Sequence, residues 1–423
     1  MSRALILATT TGYQVRAFRE AAHHLGLDPI LATDRCMTLD DPWRDAAIPV
    51  RFHAERWSVD AIVRAAGDRP IDGVVAVGDR PTVIAARAAR ALGLPWHSPA
   101  SARVAGNKPL ARELCRDAGL PSPWFRTVSI EIDAARLARE LSFPCVLKPL
   151  ALSGSRGVIR VDDVDQCVAG FARVRRLLRQ KDVRALRDAA LDEVMVEGFI
   201  EGVEIALEAV VERGELRVLA LFDKPDPLDG PFFEETIYVT PSRIDAVTQD
   251  AVVGVVGHAA RSIGLSHGPV HAECRVHEGR VWVLEVAARP IGGLCARALR
   301  FAERGAASSA AVSFEELLLR HATGESLEVY VREDQASGVM MIPIPRAGRL
   351  RRVAGLDEAR AVSGIEDVVI TAKPDQHLVP IPEGASYLGF IFARAPTPAA
   401  VERALREAHT RLRFEVDPVV PMT

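Results

Sequence analysis

The first 95 residues alternate short apolar runs with amphipathic stretches. The apolar runs have the length of short strands. The predicted strands are 3–8, 29–33, 48–52 and 72–77. The predicted helices between them are 15–25, 59–66 and 81–92. Strands that alternate with helices indicate a parallel α/β layer, and the turn at 8–14 lacks the GxGxxG pattern of a dinucleotide-binding fold.

The pattern changes after residue 95, where strands become longer and glycine interrupts them. We predict a helix at Lys108–Ala118, followed at 144–161 by a strand, a glycine-rich loop and a second strand. Further predicted elements are a basic amphipathic helix at 171–190, a strand-rich block at 194–286 with a helix near 245–263, and a helix at 306–323. The sequence therefore predicts a mixed α+β region across 96–330.

The tail from about residue 331 has many short β-like runs with frequent proline and glycine, and it closes with a helical pattern at 397–412. This combination is typical of a small α+β domain. We thus expect three domains, 1–95, 96–330 and 331–423, which is a reasonable number for a chain of 423 residues.

Composition and charge narrow the class of protein. The net charge is −3, which favours neither nucleic acid nor an anionic membrane as a partner. The basic helix at 171–190 lacks interleaved aromatic residues, so we interpret it as a solvated face. No apolar run approaches the roughly 18 residues of a membrane span, and the N-terminus lacks a signal-peptide pattern. The six cysteines show no metal-binding spacing, so we expect reduced thiols and a cytoplasmic protein.

Candidate chemistry is concentrated in residues 271–290, which read as a β-hairpin carrying two acids, Glu273 and Glu285, and then Arg289. A two-residue turn at 278–279 would place the acids on opposite faces, because side chains alternate along a strand. A three-residue loop at 278–280 would place them directly opposite each other, about 5 Å apart. Opposed carboxylates need a cation, and hard oxygen ligands select Mg²⁺ or Mn²⁺. The alternative is two exposed acids on the outer face of a sheet.

Two further segments carry groups suited to a nucleotide. Lys148 ends a predicted strand, and the loop Ser153–Gly157 offers backbone N–H groups that can approach phosphate oxygens closely. It is not a Walker A loop, and an ordinary hairpin turn is the alternative. Glu197 and Glu204 flank an apolar turn that contains Ile200, where a segment between two lobes could contact adenine and ribose. Solvent-facing acids at a strand end are the alternative there.

Taken in order, these segments resemble the ATP-grasp superfamily, and the tail resembles the C-terminal domain of its L-amino-acid ligase branch. The resemblance implies ATP between two lobes, of which a mobile lid lobe at about 125–200 closes over it, and an acyl-phosphate intermediate. It assigns phosphate and purine contacts to Lys108 and Lys148, and it makes Ser153–Gly157 the loop over the phosphates. The ATP-binding residues that it implies are Lys108, Lys148, Ser153, Gly154, Ser155, Gly157, Glu197, Ile200 and Glu204.

The resemblance also implies the metal and catalytic residues. Glu273 and Glu285 would ligate Mg²⁺ or Mn²⁺, and Arg289 would stabilise the acyl phosphate and the tetrahedral transition state, with Lys148 as its catalytic companion. The sequence Glu285-Val286-Ala287 departs from the Glu-x-Asn of most ATP-grasp enzymes, and this variation is similar to that of amino-acid ligases.

The substrate site resembles that of the amino-acid ligases with changes. In the stretch 232–242, Glu235 and Thr236 match those enzymes, whereas Tyr238 replaces a histidine. Gly292 and Gly293 stand where a bulky residue would narrow the pocket. The implied substrate-binding residues are Glu235, Tyr238, His271, Arg289, Gly292 and Gly293.

We therefore expect an ATP-dependent carboxylate–amine ligase that makes a dipeptide or a γ-glutamyl-type amide from small-molecule substrates. The alternatives are an ATP-grasp ligase for bicarbonate or a phosphoribosyl amine, and a non-catalytic ATP-binding module. A phosphoribosyl substrate would need basic residues in the N-terminal cleft, for which the sequence offers Arg16, Arg19 and Arg80. The oligomeric state is open, with a homodimer as one option.

Overall fold

The computed structural model describes residues 2–9, 14–34, 47–67, 69–305 and 311–418. The N-terminal sheet is parallel, with the order β3-β2-β1-β4. Its strands are β1 (Arg3–Ala8), β2 (Asp28–Thr33), β3 (Ile48–Pro49) and β4 (Gly73–Val77). Its helices are α1 (Val15–His24), α2 (Glu55–Ala66) and α3 (Thr82–Leu92). The predicted parallel α/β layer is confirmed, while residues 10–13 of the first turn lie outside the described residues.

A second sheet, the lid sheet, is antiparallel and has the order β5-β8-β6-β7. Two helices lead into it, α4 (Pro99–Ala105) and α5 (Lys108–Asp117). Its strands are β5 (Phe125–Ser129), β6 (Cys145–Pro149), β7 (Ile159–Val161) and β8 (Glu193–Gly198). The helices α6 (Ala134–Ala138), α7 (Val164–Leu178) and α8 (Lys181–Arg184) accompany them. Phe171 of α7 is fully buried against these strands, which fixes the helix on the sheet.

The basic helix differs from the prediction, because it begins earlier and ends sooner than 171–190. The Asp163 side chain accepts a hydrogen bond from the Gln166 N–H at 2.8 Å, so an N-cap starts α7 at Val164. The helix ends at Leu178, and residues 181–184 form only a short separate turn of helix. The basic residues are therefore divided between these two helices and the turns that follow them, rather than arranged along one long helix.

The central sheet has eight strands in the order β13-β12-β9-β10-β11-β17-β21-β19, and all neighbouring strands in it are antiparallel. The strands after β8 are β9 (Val203–Glu212), β10 (Glu215–Asp223), β11 (Ile237–Thr240), β12 (Gly268–His277), β13 (Arg280–Ala287), β14 (Arg300–Glu303), β15 (Val312–Ser313), β16 (Tyr330–Arg332), β17 (Ala336–Ile342), β18 (Gly348–Ala354), β19 (Ile365–Ile370), β20 (His377–Leu378), β21 (Gly389–Ala395) and β22 (Arg413–Asp417). The remaining helices are α9 (Ala246–Ile263), α10 (Phe314–Ala322), α11 (Leu356–Arg360) and α12 (Pro398–Arg411).

The central sheet crosses the predicted division near residue 330. Three tail strands, β17, β21 and β19, continue the sheet beyond β11, where Tyr238 pairs with Val339. The tail therefore shares a sheet with the middle of the chain, and the core beneath α12 joins tail residues to Ile237 and Val239 of β11. The three domain limits stay predictions, but the last of them does not coincide with the edge of a sheet.

The five cysteines within the described ranges are buried and unpaired, and Cys36 lies outside those ranges. Among the helices that the structure describes, none is long and apolar enough to cross a bilayer. The cytoplasmic location stays a prediction.

Three histidines at the base of the N-terminal sheet make folding sensitive to acid. The rings of His267 and His321 stack with centroids 4.3 Å apart, and His97 Nε2 lies 3.0 Å from the Pro269 carbonyl oxygen. Burial penalises the charged imidazolium and lowers the pKa of His97 to about 3 and that of His321 to about 4. Both groups therefore stay neutral in the folded protein at pH values where an unfolded histidine is protonated.

The lowered pKa of His321 predicts how its contribution to stability changes with pH. Its contribution to stability is fully present above pH 6.5 and decreases as the pH falls from 6.5 towards 4. Lowering the pH from 7.5 to 5.5 should therefore reduce the unfolding free energy of the natural protein by about 1 kcal/mol more than that of His321→Gln. Urea unfolding of both proteins at the two pH values measures the difference, and a pH-independent difference would refute the assignment.

Candidate active site

A cavity of about 470 Å³ opens where the lid sheet, the central sheet and the loop after β4 meet. Every predicted site residue except Gly157 lines it. These residues are Lys108, Lys148, Ser153, Gly154, Ser155, Glu197, Ile200, Glu204, Glu235, Tyr238, His271, Glu273, Glu285, Arg289, Gly292 and Gly293. A space of this volume suits a small-molecule ligand, and its walls carry both acids and bases.

Gly157 has a packing role instead of facing the cavity. Its φ is +77°, and a Cβ there would lie 2.7 Å from Pro149 and 2.8 Å from Leu177. Its N–H donates to the Pro382 carbonyl oxygen at 2.7 Å. The backbone donor that we assigned to a phosphate is therefore already bonded within the protein.

The hairpin places Glu273 opposite Glu285, but not by the predicted route. Glu278 and Gly279 both have left-handed φ values, +47° and +73°, and His277 pairs with Arg280, so the turn has two residues. Of the two turns that the sequence left open, the structure has the two-residue one, so the three-residue loop at 278–280 is not formed. The register shifts further along the hairpin, where Cys274 pairs with Val283 and Glu273 pairs with Glu285.

The shift is a β-bulge with Leu284 as the extra residue of β13. A bulge gives two residues of one strand a single partner on the other, which moves all later side chains to the opposite face. The acids that a two-residue turn would separate are therefore brought to the same face. The carboxylate pair exists because of the bulge.

A lysine that the sequence analysis missed lies among the acids. Lys224 directly follows β10, and its Nζ lies 2.7 Å from Glu204 Oε1, 2.6 Å from Glu235 Oε1 and 2.7 Å from Glu273 Oε1. Burial would lower the pKa of Lys224, but the three carboxylates raise it well above its ordinary value. The ammonium thus offsets much of the repulsion within this buried cluster.

Two of these acids, Glu273 and Glu235, respond differently to this environment. Burial would raise the pKa of Glu273, but Lys224 and His271 hold it well below its ordinary value. Burial prevails at Glu235 and raises its pKa to about 7. The Tyr238 hydroxyl donates to the second oxygen of Glu235 at 2.9 Å. Glu273 is therefore ionised at neutral pH, while Glu235 lies close to its titration point.

His271 is held by another acid that no motif indicated. Its Nδ1 bonds to the fully buried Glu208, and its Nε2 lies 3.5 Å from Glu273 Oε1. The second oxygen of Glu208 accepts from the Ile291 N–H at 3.0 Å. Burial opposes protonation of His271, but Glu208 raises its pKa to about 9. Glu208 therefore ties β12 to the loop that carries Arg289.

Arg289 joins the N-terminal sheet to the hairpin. Its Nε donates to Asp79 Oδ1 at 2.6 Å, and its second terminal nitrogen lies 3.7 Å from Glu285 Oε1. Asp79 belongs to the loop after β4, at the carboxyl edge of a parallel sheet where ligands commonly bind. Burial would raise the pKa of Asp79, but Arg289 lowers it. Asp79, in the loop after β4 of the N-terminal sheet, therefore helps to orient the Arg289 guanidinium in the cavity.

The residues predicted to bind the nucleotide also form ion pairs and hydrogen bonds within the protein. Glu197 pairs with Lys148 and, at 2.8 Å, with Arg112, while Glu204 bonds to Lys224 and, at 3.1 Å, to Arg275. Lys108 donates to the Leu152 carbonyl oxygen at 3.0 Å, next to the glycine loop. The adenine and ribose contacts of the two acids stay predictions.

Three family models match successive parts of the chain. They are the ATP-grasp N-terminal domain over residues 19–96, the ATP-grasp domain over 141–298, and L-amino acid ligase C-terminal domain 2 over 340–417. The crystal structure of the L-amino acid ligase from Bacillus licheniformis is similar to this chain, with a TM-score of 0.82 and 26% identity. It covers 99% of both chains.

Two curated relatives complete the comparison. An uncharacterized protein, y4rH, of Sinorhizobium fredii is 25% identical over 99% of this chain and 84% of its own length. The alanine–anticapsin ligase of Bacillus subtilis is 27% identical over 55% of this chain and 52% of its own length. The chain thus spans about half of the length of the second relative.

Proposed function

We propose that this chain, which belongs to the ATP-grasp superfamily, joins two amino acids into a dipeptide at the expense of ATP. The observation that carries the proposal is the opposed pair Glu273 and Glu285, with Arg289 beside it in a cavity that Lys108 and Lys148 also line. The similarity to an L-amino acid ligase structure along the whole chain supports the amino-acid substrates.

The acids fit a hard divalent cation. Glu273 is ionised and half-buried, while Glu285 faces the cavity with 32% of its side chain exposed, and the two are direct cross-strand partners. Carboxylate oxygens of this kind prefer Mg²⁺ or Mn²⁺. Glu273 and Glu285 would hold the ion, which would neutralise charge on the ATP phosphates.

The reaction would proceed in two steps. A substrate carboxylate attacks the γ-phosphorus of ATP, which gives an acyl phosphate and ADP. The amine of the second amino acid then attacks the acyl carbon, so that the C–N bond forms, phosphate leaves and the amine proton passes to solvent. Lys108 and Lys148 would bind phosphate oxygens, and Arg289 would stabilise the negative charge that develops at the acyl centre.

One incubation tests the proposal. The protein is supplied with ATP, Mg²⁺ and mixtures of amino acids, ADP release is followed, and products are detected by mass. We expect ADP release that depends on amino acids and yields one dipeptide per ADP. If no mixture increases ADP release, the ligase proposal fails.

The rival substrates are tested in the same assay, with bicarbonate or a phosphoribosyl amine in place of the amino acids. The structure gives the phosphoribosyl alternative little support. Arg80 lines the cavity, but Arg16 is 89% exposed and pairs with Glu20 on the surface of α1. ADP release that depends only on bicarbonate or the phosphoribosyl amine would favour the rival.

Gly292 gives a prediction about substrate size. A Cβ at Gly292 would meet no atom within 4 Å, whereas Gly293 has a φ of +62° and a Cβ there would lie 3.1 Å from Phe390 Cε1. Gly292→Phe should therefore fold and fill part of the pocket, so that kcat/KM for large amino acids falls by about tenfold or more relative to alanine.

Gly292→Ala is the matched control, since it adds only a methyl group to the same position. It should change the preference for amino-acid size by less than about threefold. Competition between alanine and phenylalanine, with both dipeptides quantified by mass, measures the ratio. An unchanged ratio in Gly292→Phe would place the side-chain pocket elsewhere.

A further inference from the structure

A segment of the tail, 382–387, reaches back to the glycine loop of the lid sheet. The Gly157 N–H donates to the Pro382 carbonyl oxygen at 2.7 Å, and Arg156 Nε donates to the Glu383 carbonyl oxygen at 2.8 Å. The tail segment is 225 residues and more away along the chain. Two consecutive residues of the loop thus bond to two consecutive residues of the tail.

The Glu383 side chain binds the helix behind this loop. Both of its oxygens accept from Arg173 of α7, and the bond from the terminal nitrogen to Oε2 is 2.8 Å. The Arg173 guanidinium also lies over the Phe232 ring, 4.8 Å from its centroid. A two-pronged pair with a stacked guanidinium holds its geometry better than a single exposed ion pair.

The same segment continues into the cavity. Ala385 and Tyr387 line it, and the Tyr387 ring packs near Phe390 of β21 with centroids 6.5 Å apart. Phe390 is fully buried in the central sheet. The tail segment is therefore anchored on the central sheet at one end and bonded to the glycine loop at the other.

We propose that Glu383 is a positioning residue for ATP: through Arg173, and through its own carbonyl oxygen on Arg156, it holds the loop Ser153–Gly157 over the nucleotide phosphates. The inference rests on the proposed function, which assigns this loop to the phosphates. It adds that the tail forms part of the ATP site through Glu383, a residue that no sequence motif indicates. The loop would sequester the reaction from water only while the tail holds it.

The test is Glu383→Gln, which keeps the shape of the side chain and removes its charge. We expect KM for ATP to rise about two- to fivefold while KM for the amino acids stays within error, because the pair is only partly buried. ADP released per dipeptide should also rise, since a loosely held loop admits water to the acyl phosphate. A residue that only stabilised the fold would change neither KM for ATP relative to KM for the amino acids nor the ratio of ADP to dipeptide.

The control is Glu131→Gln, which breaks another two-pronged glutamate–arginine pair, with Arg179 at 2.7 Å, that is more exposed and lies elsewhere beside the lid sheet. It should leave KM for ATP and the product ratio unchanged. Arg173→Gln should reproduce the Glu383→Gln effects, and the double variant should add little to either. Unchanged ATP parameters in Glu383→Gln, or additive losses in the double variant, would overturn the proposal.

A binding measurement separates this inference from the proposed function. Calorimetry with Mg²⁺ and a non-hydrolysable ATP analogue requires no amino-acid substrate, so it can be read even if dipeptide synthesis fails. The analogue should bind Glu383→Gln about two- to fivefold more weakly than the natural protein and Glu131→Gln. Equal affinity in all three would reject the role of Glu383 whatever the reaction is.

Discussion

Glu285→Ala should lower kcat about a thousandfold or more while leaving the fold intact. The Glu285 side chain is about one-third exposed at the cavity, and its ion pair with Arg289 is long, at 3.7 Å. Its loss would leave Glu273 as the single acid of the pair, and Glu273 already shares an oxygen with Lys224. A metal held by one such carboxylate would bind weakly and stabilise the phosphoryl transfer poorly, which removes several kcal/mol of transition-state stabilisation.

Glu278→Asn provides the control, because it removes one negative charge from the turn of the same hairpin. Glu278 has a φ of +47°, and asparagine tolerates that conformation well. The turnover of Glu278→Asn should match that of the natural protein. Thermal unfolding should give similar Tm values for both variants, and raised Mg²⁺ should partly restore Glu285→Ala. Normal turnover in Glu285→Ala would remove Glu285 from the metal site.

The hairpin shows how far local sequence reasoning reaches. Alternation and turn chemistry identify the strands, and the acid spacing indicates that Glu273 and Glu285 are a pair. The same rules could not predict the bulge at Leu284, because no residue type there demands it. The two acids are a pair, but a two-residue turn with a bulge brings them together rather than the three-residue alternative, and the family resemblance implied the pair independently of the turn.

The buried partners of the site could not be predicted from spacing. Glu208 lies on β9, Lys224 directly follows β10, and Asp79 lies in the loop after β4. Each meets its partner only through the pairing of strands or the packing of the N-terminal sheet on the hairpin. Sequence motifs indicate residues that face a ligand. The charges that hold those residues in place depend on which strands are neighbours, and a single sequence does not reveal this.

The tail illustrates the same limit at the scale of the fold. Its short apolar runs correctly predicted strands, and its last helix was placed within one residue at each end. A separate domain was the natural interpretation, because nothing in the runs indicates an outside partner. The match to an L-amino acid ligase C-terminal domain over 340–417 agrees with a domain there, and the pairing of Tyr238 on β11 with Val339 on β17 also extends the central sheet into it. That pairing is also what allows residues 382–387 to reach the cavity.

Arg289→Met should lower kcat by about 100- to 1,000-fold, with a smaller change in KM, because the guanidinium is expected to act on charge that develops in the transition state. Met keeps the apolar bulk of the side chain and removes all of its donors. Pre-steady-state measurement of ADP formation and dipeptide formation shows which step slows. An unchanged kcat would exclude Arg289 from the chemistry.

A change at its partner Asp79 allows the effect of Arg289→Met on kcat to be distinguished from its effect on stability. Arg289→Met leaves the Asp79 carboxylate, about one-third exposed, without the guanidinium that lowers its pKa, and this should cost about 1–2 kcal/mol of unfolding free energy. The double variant Asp79→Asn with Arg289→Met removes that unpaired charge, so it should regain most of the stability. It should not regain kcat, because the group that faces the acyl centre is still missing. If the double variant recovered turnover as well, the loss in Arg289→Met would reflect misplacement of Asp79 and the loop after β4 rather than a missing cation at the reacting carbon.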